Sequence, residues 1–263
     1  MSDWYHGIEE FVLNRKKATG GFGATPKLPA TIQDTYHALR ILTVLGGYGL
    51  VPSPALGNDG PLLEYLARTS AAERHNAQVT FQRLAGILLA GGELSSGPVL
   101  DFVRRRLMET QALEERYYCG RLMREVARID DGEFDFLAKR PAPWSFRTAS
   151  ELWMLLDLAH EQAENPSALA AWLQACQTGD GGFGFLPGTT SFIENCYDCL
   201  RALRLLGAAP KDQEGCRAFA LACRTSRHGF ARRNGGTAFL YSTWQAVAVL
   251  DLLRGRSEIT STS

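Results

Sequence analysis

Apolar residues recur through most of the chain at intervals of three and four, the spacing of one helix face, and alternating strand patterns are nearly absent. Residues 4–17 predict a first helix, with Ile8, Phe11 and Val12 on its apolar side. Arg15, Lys16 and Lys17 close it, where cations meet the negative end of the helix dipole. Gly20 and Gly21 stop it, because glycine reaches the left-handed backbone cheaply. A proline-bearing loop, ATPKLPA, leads to a second helix over about 32–46, ended by Gly46, Gly47 and Gly49. The same two-helix rhythm continues through 61–68 with 77–90, 98–108 with 113–128, 133–139 with 148–160, 166–177 with 192–206, and 213–225 with 239–254.

The two members of each hairpin differ in character. The second helices, with TYHALRIL, CYDCLRALRLL and TWQAVAVLDLL, are apolar on most of their circumference and need cover on nearly every side. The first helices, such as ALAAWLQACQ, are amphipathic. Six hairpins stack as an open solenoid or close into a ring. A ring of six inner helices jacketed by six outer ones covers the second helices better. The predicted fold is therefore all-α, one domain over 1–255, followed by a polar tail at 256–263.

A written repeat supports this. GGFGATPKLPATIQDTYHALRIL at Gly20 is restated from Gln177 as QTGDGGFGFLPGTTSFIENCYDCLRALRLL and from His228 as HGFARRNGGTAFLYSTWQAVAVL. Fifteen residues separate Gly21 from Tyr36, Gly182 from Tyr197, and Gly229 from Trp244. Extended to the middle hairpins, the aromatic position of the second helices falls at Tyr36, Phe81, Tyr118, Trp153, Tyr197 and Trp244.

Composition narrows the function classes. The chain has 263 residues, 45% of them hydrophobic, enough for a large core. Its 28 Lys and Arg balance 28 Asp and Glu, so no net field draws nucleic acid or anionic lipid. No apolar run reaches the roughly 20 residues of a membrane span. The opening MSDWYHGIEEF lacks the blocks of a signal peptide. Six cysteines, mostly within helical segments, read as reduced thiols of a cytoplasmic protein.

The GGFG…TY, DGGFGF…NCY and HGF…STW segments resemble the repeats of the protein prenyltransferase β-subunit and terpene cyclase superfamily. That resemblance implies an α/α toroid whose aromatic-lined cavity holds an isoprenoid chain. In the protein transferases, zinc activates an acceptor thiol and a basic cluster holds the prenyl diphosphate. The family's Asp-x-Cys-Tyr stands here as Glu194-Asn195-Cys196-Tyr197. The position of its third zinc ligand, a His, holds Tyr241 or Ser242, and the loop FLPGTTSF carries none of the family's cations. Carried over, Glu194 and Cys196 mark the reacting end, with Glu194 a base or an oxygen ligand. Tyr197, Arg232 and Arg233 mark the diphosphate end, and Tyr36, Phe81, Tyr118, Trp153 and Trp244 the cavity. Zinc or magnesium is the metal such a site would take, and the set of zinc ligands is incomplete.

Other constellations read as structural. Cys196-x-x-Cys199 has no second ligand pair at zinc spacing. Asp130-Asp131-Gly132-Glu133-Phe134-Asp135 has DDxxxD spacing and reads as a solvated turn. Lys16, Gln177 and Arg224 share one register position and are read as donors to the last carbonyls of their own helices. Arg104, Arg105 and Arg106 suit a charged outer face, His37 a packed histidine, and His228 an exposed turn. Two functions stay open. One is an isoprenoid-binding toroid, with prenyl transfer from a diphosphate as its reaction. The other is a catalytically inactive toroid serving as a binding or protein-interaction module. An α-subunit-like partner or an acceptor protein belongs to the implied setting.

Overall fold

The computed structural model describes residues 4–49, 59–68, 76–129, 145–159 and 163–254. Its helices are α1 (Ile8–Leu13), α2 (Ile32–Gly47), α3 (Gly60–Ala67), α4 (Ala77–Leu89), α5 (Ser96–Glu109), α6 (Leu113–Arg121), α7 (Ala149–Ala159), α8 (Pro166–Ala175), α9 (Ile193–Leu205), α10 (Gln213–Ala222) and α11 (Leu240–Leu252). A π-helical stretch, Leu122–Ala127, continues α6. The fold is all-α apart from a two-stranded antiparallel ribbon, β1 (Phe22–Gly23) with β2 (Ala30–Thr31), in which Phe22 faces Thr31. None of the described helices is long and apolar enough to cross a membrane.

The chain forms two compact units, Asn14–Trp144, and Met1–Leu13 together with Ser145–Ser263. Within Asn14–Trp144, α2 packs on α4 and α4 on α6, while α3 covers α4, and α5 covers α6 and the π stretch. Within the other unit, α7 packs on α9 and α9 on α11, with α8 against α9 and α10 against α11. The second helices are thus successive neighbours in each unit, and the first helices lie against their own partners. This is the division of labour that the apolar patterns imply. In α11 only Tyr241, among residues 240–251, is not buried.

Helix starts are set by local chemistry. The side chains of Asp59, Asn76, Asn165 and Asp212 accept the backbone N–H of the third residue onward and cap α3, α4, α8 and α10. Such caps contribute about 1 kcal/mol each. The repeated glycine turn then brings each hairpin against the next first helix. Gly181 has φ +85°, and a Cβ there would lie 2.2 Å from the carbonyl oxygen of Gly215 in α10. Gly20, at φ +96°, approaches Pro61 of α3 in the same way.

Several boundaries differ from those predicted. The first helix spans six residues instead of 4–17. Gly7, at φ +74°, blocks it on one side. On the other, Lys17 N–H bonds to Gly21 O at 2.8 Å and Lys16 bridges to Phe22. Lys16, Gln177 and Arg224 do not bond the ends of their own helices. Gln177 donates to Gly181 O at 2.9 Å and to Asp212 O at 2.7 Å, and accepts from Asp212 N at 2.9 Å. Lys16 pairs with Asp59, the cap of α3, and Arg224 donates to His6 O, just before α1. All three side chains therefore tie one hairpin to the start of another first helix. His228 is half-buried, with its ring over Gly7 and edge-on to His6. The predicted helix at 133–139, Trp144, the acidic run Asp130–Asp135 and the tail at 256–263 lie outside the described residues.

Candidate functional site

The site grows from the face that α9 turns toward α7 and α11. At about 100° per residue, Glu194, Tyr197, Asp198 and Arg201 share one side of α9, whereas Cys196 lies roughly 200° round from Glu194. Arg201 places its guanidinium 4.3 Å from the centre of the Trp153 ring and donates from Nη1 to Tyr197 Oη at 2.7 Å. Tyr197 meets Trp244 edge-on, with centroids 6.2 Å apart. Trp153, Tyr197 and Trp244 thus form one row from α7, α9 and α11, and both tryptophans are buried.

Carboxyl groups border the row. Glu194 Oε1 accepts two hydrogen bonds from Arg232, that from Nε at 2.8 Å, and Arg232 lies over the Phe192 ring. Glu194 Oε2 is buried without a hydrogen-bond partner among the described residues. Burial pushes the Asp198 carboxyl up to about 7; a hydrogen bond with Ser150 opposes this and the Glu194 charge adds to it, while Arg201 pulls the other way. Tyr241, from the first turn of α11, is exposed along part of its side chain, but desolvation of its hydroxyl and the charges of Asp198 and Glu194 raise it above the ordinary phenol range and keep it neutral. Arg233 is exposed in the loop before α11.

A related row stands in the Asn14–Trp144 unit. The Tyr36 and Phe81 ring centroids are 5.6 Å apart, and those of Phe81 and Tyr118 5.8 Å apart. Arg121, where α6 gives way to the π stretch, sits 4.1 Å over the Phe81 ring and pairs with Glu125 at 2.6 Å. Arg40 Nη1 donates to Tyr36 Oη at 3.1 Å and Gln78 Nε2 to Tyr118 Oη at 3.0 Å. The structure therefore gathers the six sequence-predicted aromatic residues as two rows of three, each with an arginine laid on a ring.

Cys196 and Glu194 are not brought together. Cys196 is fully buried, and its Sγ accepts the N–H of Phe183 at 3.3 Å. Thr35 Oγ1 and Thr243 Oγ1 accept the N–H groups of Phe22 and Phe230 in the same register, each at 2.9 Å. The sulfur is thus the acceptor that holds the repeat turn, on the side of α9 away from the row. Burial, and Cys216 beside it, hold the Cys196 thiol well above its ordinary range, so it stays protonated. Glu194 faces the row and is tied to Arg232. Among the described residues no three His, Cys, Asp or Glu side chains are grouped to hold a metal ion. The residues present do not fit a zinc of the family kind.

Sequence reasoning missed Arg40, Arg121, Asp198 and Arg201. A signal for three of them was available. TYHALR and CYDCLR put Tyr36 with Arg40, and Tyr197 with Arg201, at the same repeat positions one helical turn apart. The same alignment sets His37 opposite Asp198, and the third copy has Gln245 there. Burial drives the first two toward their neutral forms, His37 down to about 3 and Asp198 up to about 7.

No curated protein matches the chain. The pattern of the prenyltransferase alpha-alpha toroid domain matches residues 2–78 and 138–263, which leaves out only the middle hairpins where the glycine turn is lost. With most of its length covered by that pattern, and with paired helices repeating the same glycine turn, the chain belongs to the prenyltransferase alpha-alpha toroid family.

Proposed function

We propose that this protein binds an apolar chain of the isoprenoid class against the aromatic row of Trp153, Tyr197 and Trp244. The observation that carries this reading is the row itself. Three successive second helices contribute one large ring each at one repeat position, and the guanidinium of Arg201 is fixed among them. Apolar chains are held by area removed from water, about 25 cal/mol per Å², and aromatic rings supply much of it at little cost in side-chain entropy. Membership in the prenyltransferase toroid family supports the isoprenoid class.

Zinc-assisted transfer to a thiol forms no part of the proposal, because the Cys196 sulfur holds a turn and Glu194 is bound to Arg232. A second reading, prenyl transfer by a metal-independent route, draws on the buried Glu194 Oε2, which suits a proton acceptor for an incoming nucleophile. Thermal shift and intrinsic tryptophan fluorescence with farnesol, geranylgeraniol and their diphosphates test the binding reading. Ligand is expected to raise Tm and to quench emission, and Trp153→Phe with Trp244→Phe should remove the quenching. A folded protein that responds to none of these compounds overturns the proposal. Release of inorganic diphosphate from a prenyl diphosphate, lost in Glu194→Gln, would favour the second reading.

A further inference from the structure

We infer that the polar end of the chain bound at this row is a positively charged hydrogen-bond donor, an alkylammonium group, received between α9 and α11. The inference rests on the binding reading above and names its ligand more narrowly. It starts from the repeat. Glu194, Tyr197 and Asp198 on α9 recur 47 residues later as Tyr241, Trp244 and Gln245 on α11. In both helices the spacing is i, i+3, i+4, so each set shares one face. The contact between the Tyr197 and Trp244 rings sets the two faces against each other.

These faces gather acceptors around the Tyr241 hydroxyl. The Gln245 amide is its hydrogen-bond partner, and Glu194 and Asp198 act on it through their charges. Two acceptor atoms in this group are unused. Glu194 Oε2 and Gln245 Oε1 are both buried without a hydrogen-bond partner among the described residues. Gln245 is 4% exposed, so bulk water does not serve it. Buried polar atoms are nearly always paired, and two orphans beside one hydroxyl call for a specific donor. Arg201 is stacked on Trp153, the ring that α7 contributes, and Arg232 is bonded to the other oxygen of Glu194; neither bonds the two orphaned atoms.

The chemistry of the missing group follows. An ether or carboxylate oxygen donates nothing, a hydroxyl donates once and an ammonium three times. The electrostatics select the ammonium. The charges of Glu194 and Asp198 raise the Tyr241 phenol, and that of Glu194 also raises Asp198, so the potential among these groups is negative. A cation there relieves it and also meets the rings of Tyr197 and Trp244, whose π-systems attract positive charge.

Titration calorimetry at pH 7 tests this with probes that share one tail: farnesylamine, its trimethylammonium derivative, farnesol and farnesyl methyl ether. The first offers charge and donors, the second charge alone, the third a single neutral donor and the fourth neither. Farnesylamine is expected to bind more tightly than the ether and the trimethylammonium compound by about tenfold or more, with farnesol between it and the ether. Gln245→Met and Glu194→Gln preserve side-chain length. Each should weaken farnesylamine by about fivefold or more while leaving the ether within about twofold. Circular dichroism and urea unfolding of each variant establish that it is folded. If the ether or the trimethylammonium compound binds as tightly as farnesylamine, or neither variant weakens farnesylamine, the two acceptors hold only water. The head-group inference is then overturned while the aromatic-row reading stands. If none of these probes binds the folded wild-type protein, both fall.

Discussion

The backbone N–H of Phe183 donates to the sulfur of Cys196 at 3.3 Å, thirteen residues away, where the other glycine turns use a threonine hydroxyl at 2.9 Å. The cysteine that resembles a family zinc ligand therefore does the work of Thr35 and Thr243. Cys196→Thr should be tolerated within about 1 kcal/mol, since both homologous sites accommodate threonine with no exposure. Cys196→Ala should cost about 1–3 kcal/mol by leaving a buried N–H without its acceptor. Urea unfolding measures both. Stoichiometric zinc in the purified protein, lost with Cys196→Ala, would refute the structural assignment.

Gln177 ties the end of α8 to the cap of α10 with two hydrogen bonds to Asp212, and to the glycine turn with a third to Gly181 O. Gln177→Ala removes all of them and strands the N–H of Asp212. A loss of about 1.5–3 kcal/mol is expected. Hydrogen exchange should place the loss in the two hairpins around the turn. An effect below about 0.5 kcal/mol would show the bridge to be incidental.

Asp198 and His37 occupy one repeat position and titrate in opposite senses. The folded carboxyl of Asp198 is raised to about 7 from its ordinary value near 4, so the native state holds the extra proton between them. Stability therefore falls as pH rises from about 4 to about 7, and Asp198→Asn should flatten that slope and be the more stable protein at pH 8, by about 1–4 kcal/mol.

His37 is lowered to about 3, so below about 6.5 the unfolded chain takes up a proton the folded one refuses. Stability should fall as pH drops from about 6.5 to about 3, and His37→Gln should remove that limb. Unfolding free energies of both variants across pH 3.5 to 8.5 decide the matter. Wild-type slopes that persist in either variant would assign the titration to other groups.

Arg121 lies on the ring of Phe81, a residue with no exposure, and pairs with Glu125. Arg121→Ala removes a cation–π contact and the aliphatic stem that covers the ring, a loss of about 1–3 kcal/mol. Arg121→Lys should recover less than half, because an ammonium does not stack. Near-complete recovery in Arg121→Lys would mean that the pair with Glu125, and not the ring, supports Arg121.

Much of this molecule was legible in its residues. The three- and four-residue apolar spacing located eleven of the hairpin helices, because local burial on one face is a periodic property of the chain. The glycine turns and the aromatic position were legible because each depends on residues a short distance apart. Even the Tyr–Arg pairs of TYHALR and CYDCLR stood in view, one turn apart on a helix. Tertiary structure alone decided the partners. Which side of α9 faces the row depends on how the helix is rotated against α7 and α11, and that rotation turns Cys196 toward Phe183 and Glu194 toward Arg232, 38 residues on. Burial, which the packing of separate hairpins creates, is likewise what brings the Asp198 proton into the neutral range.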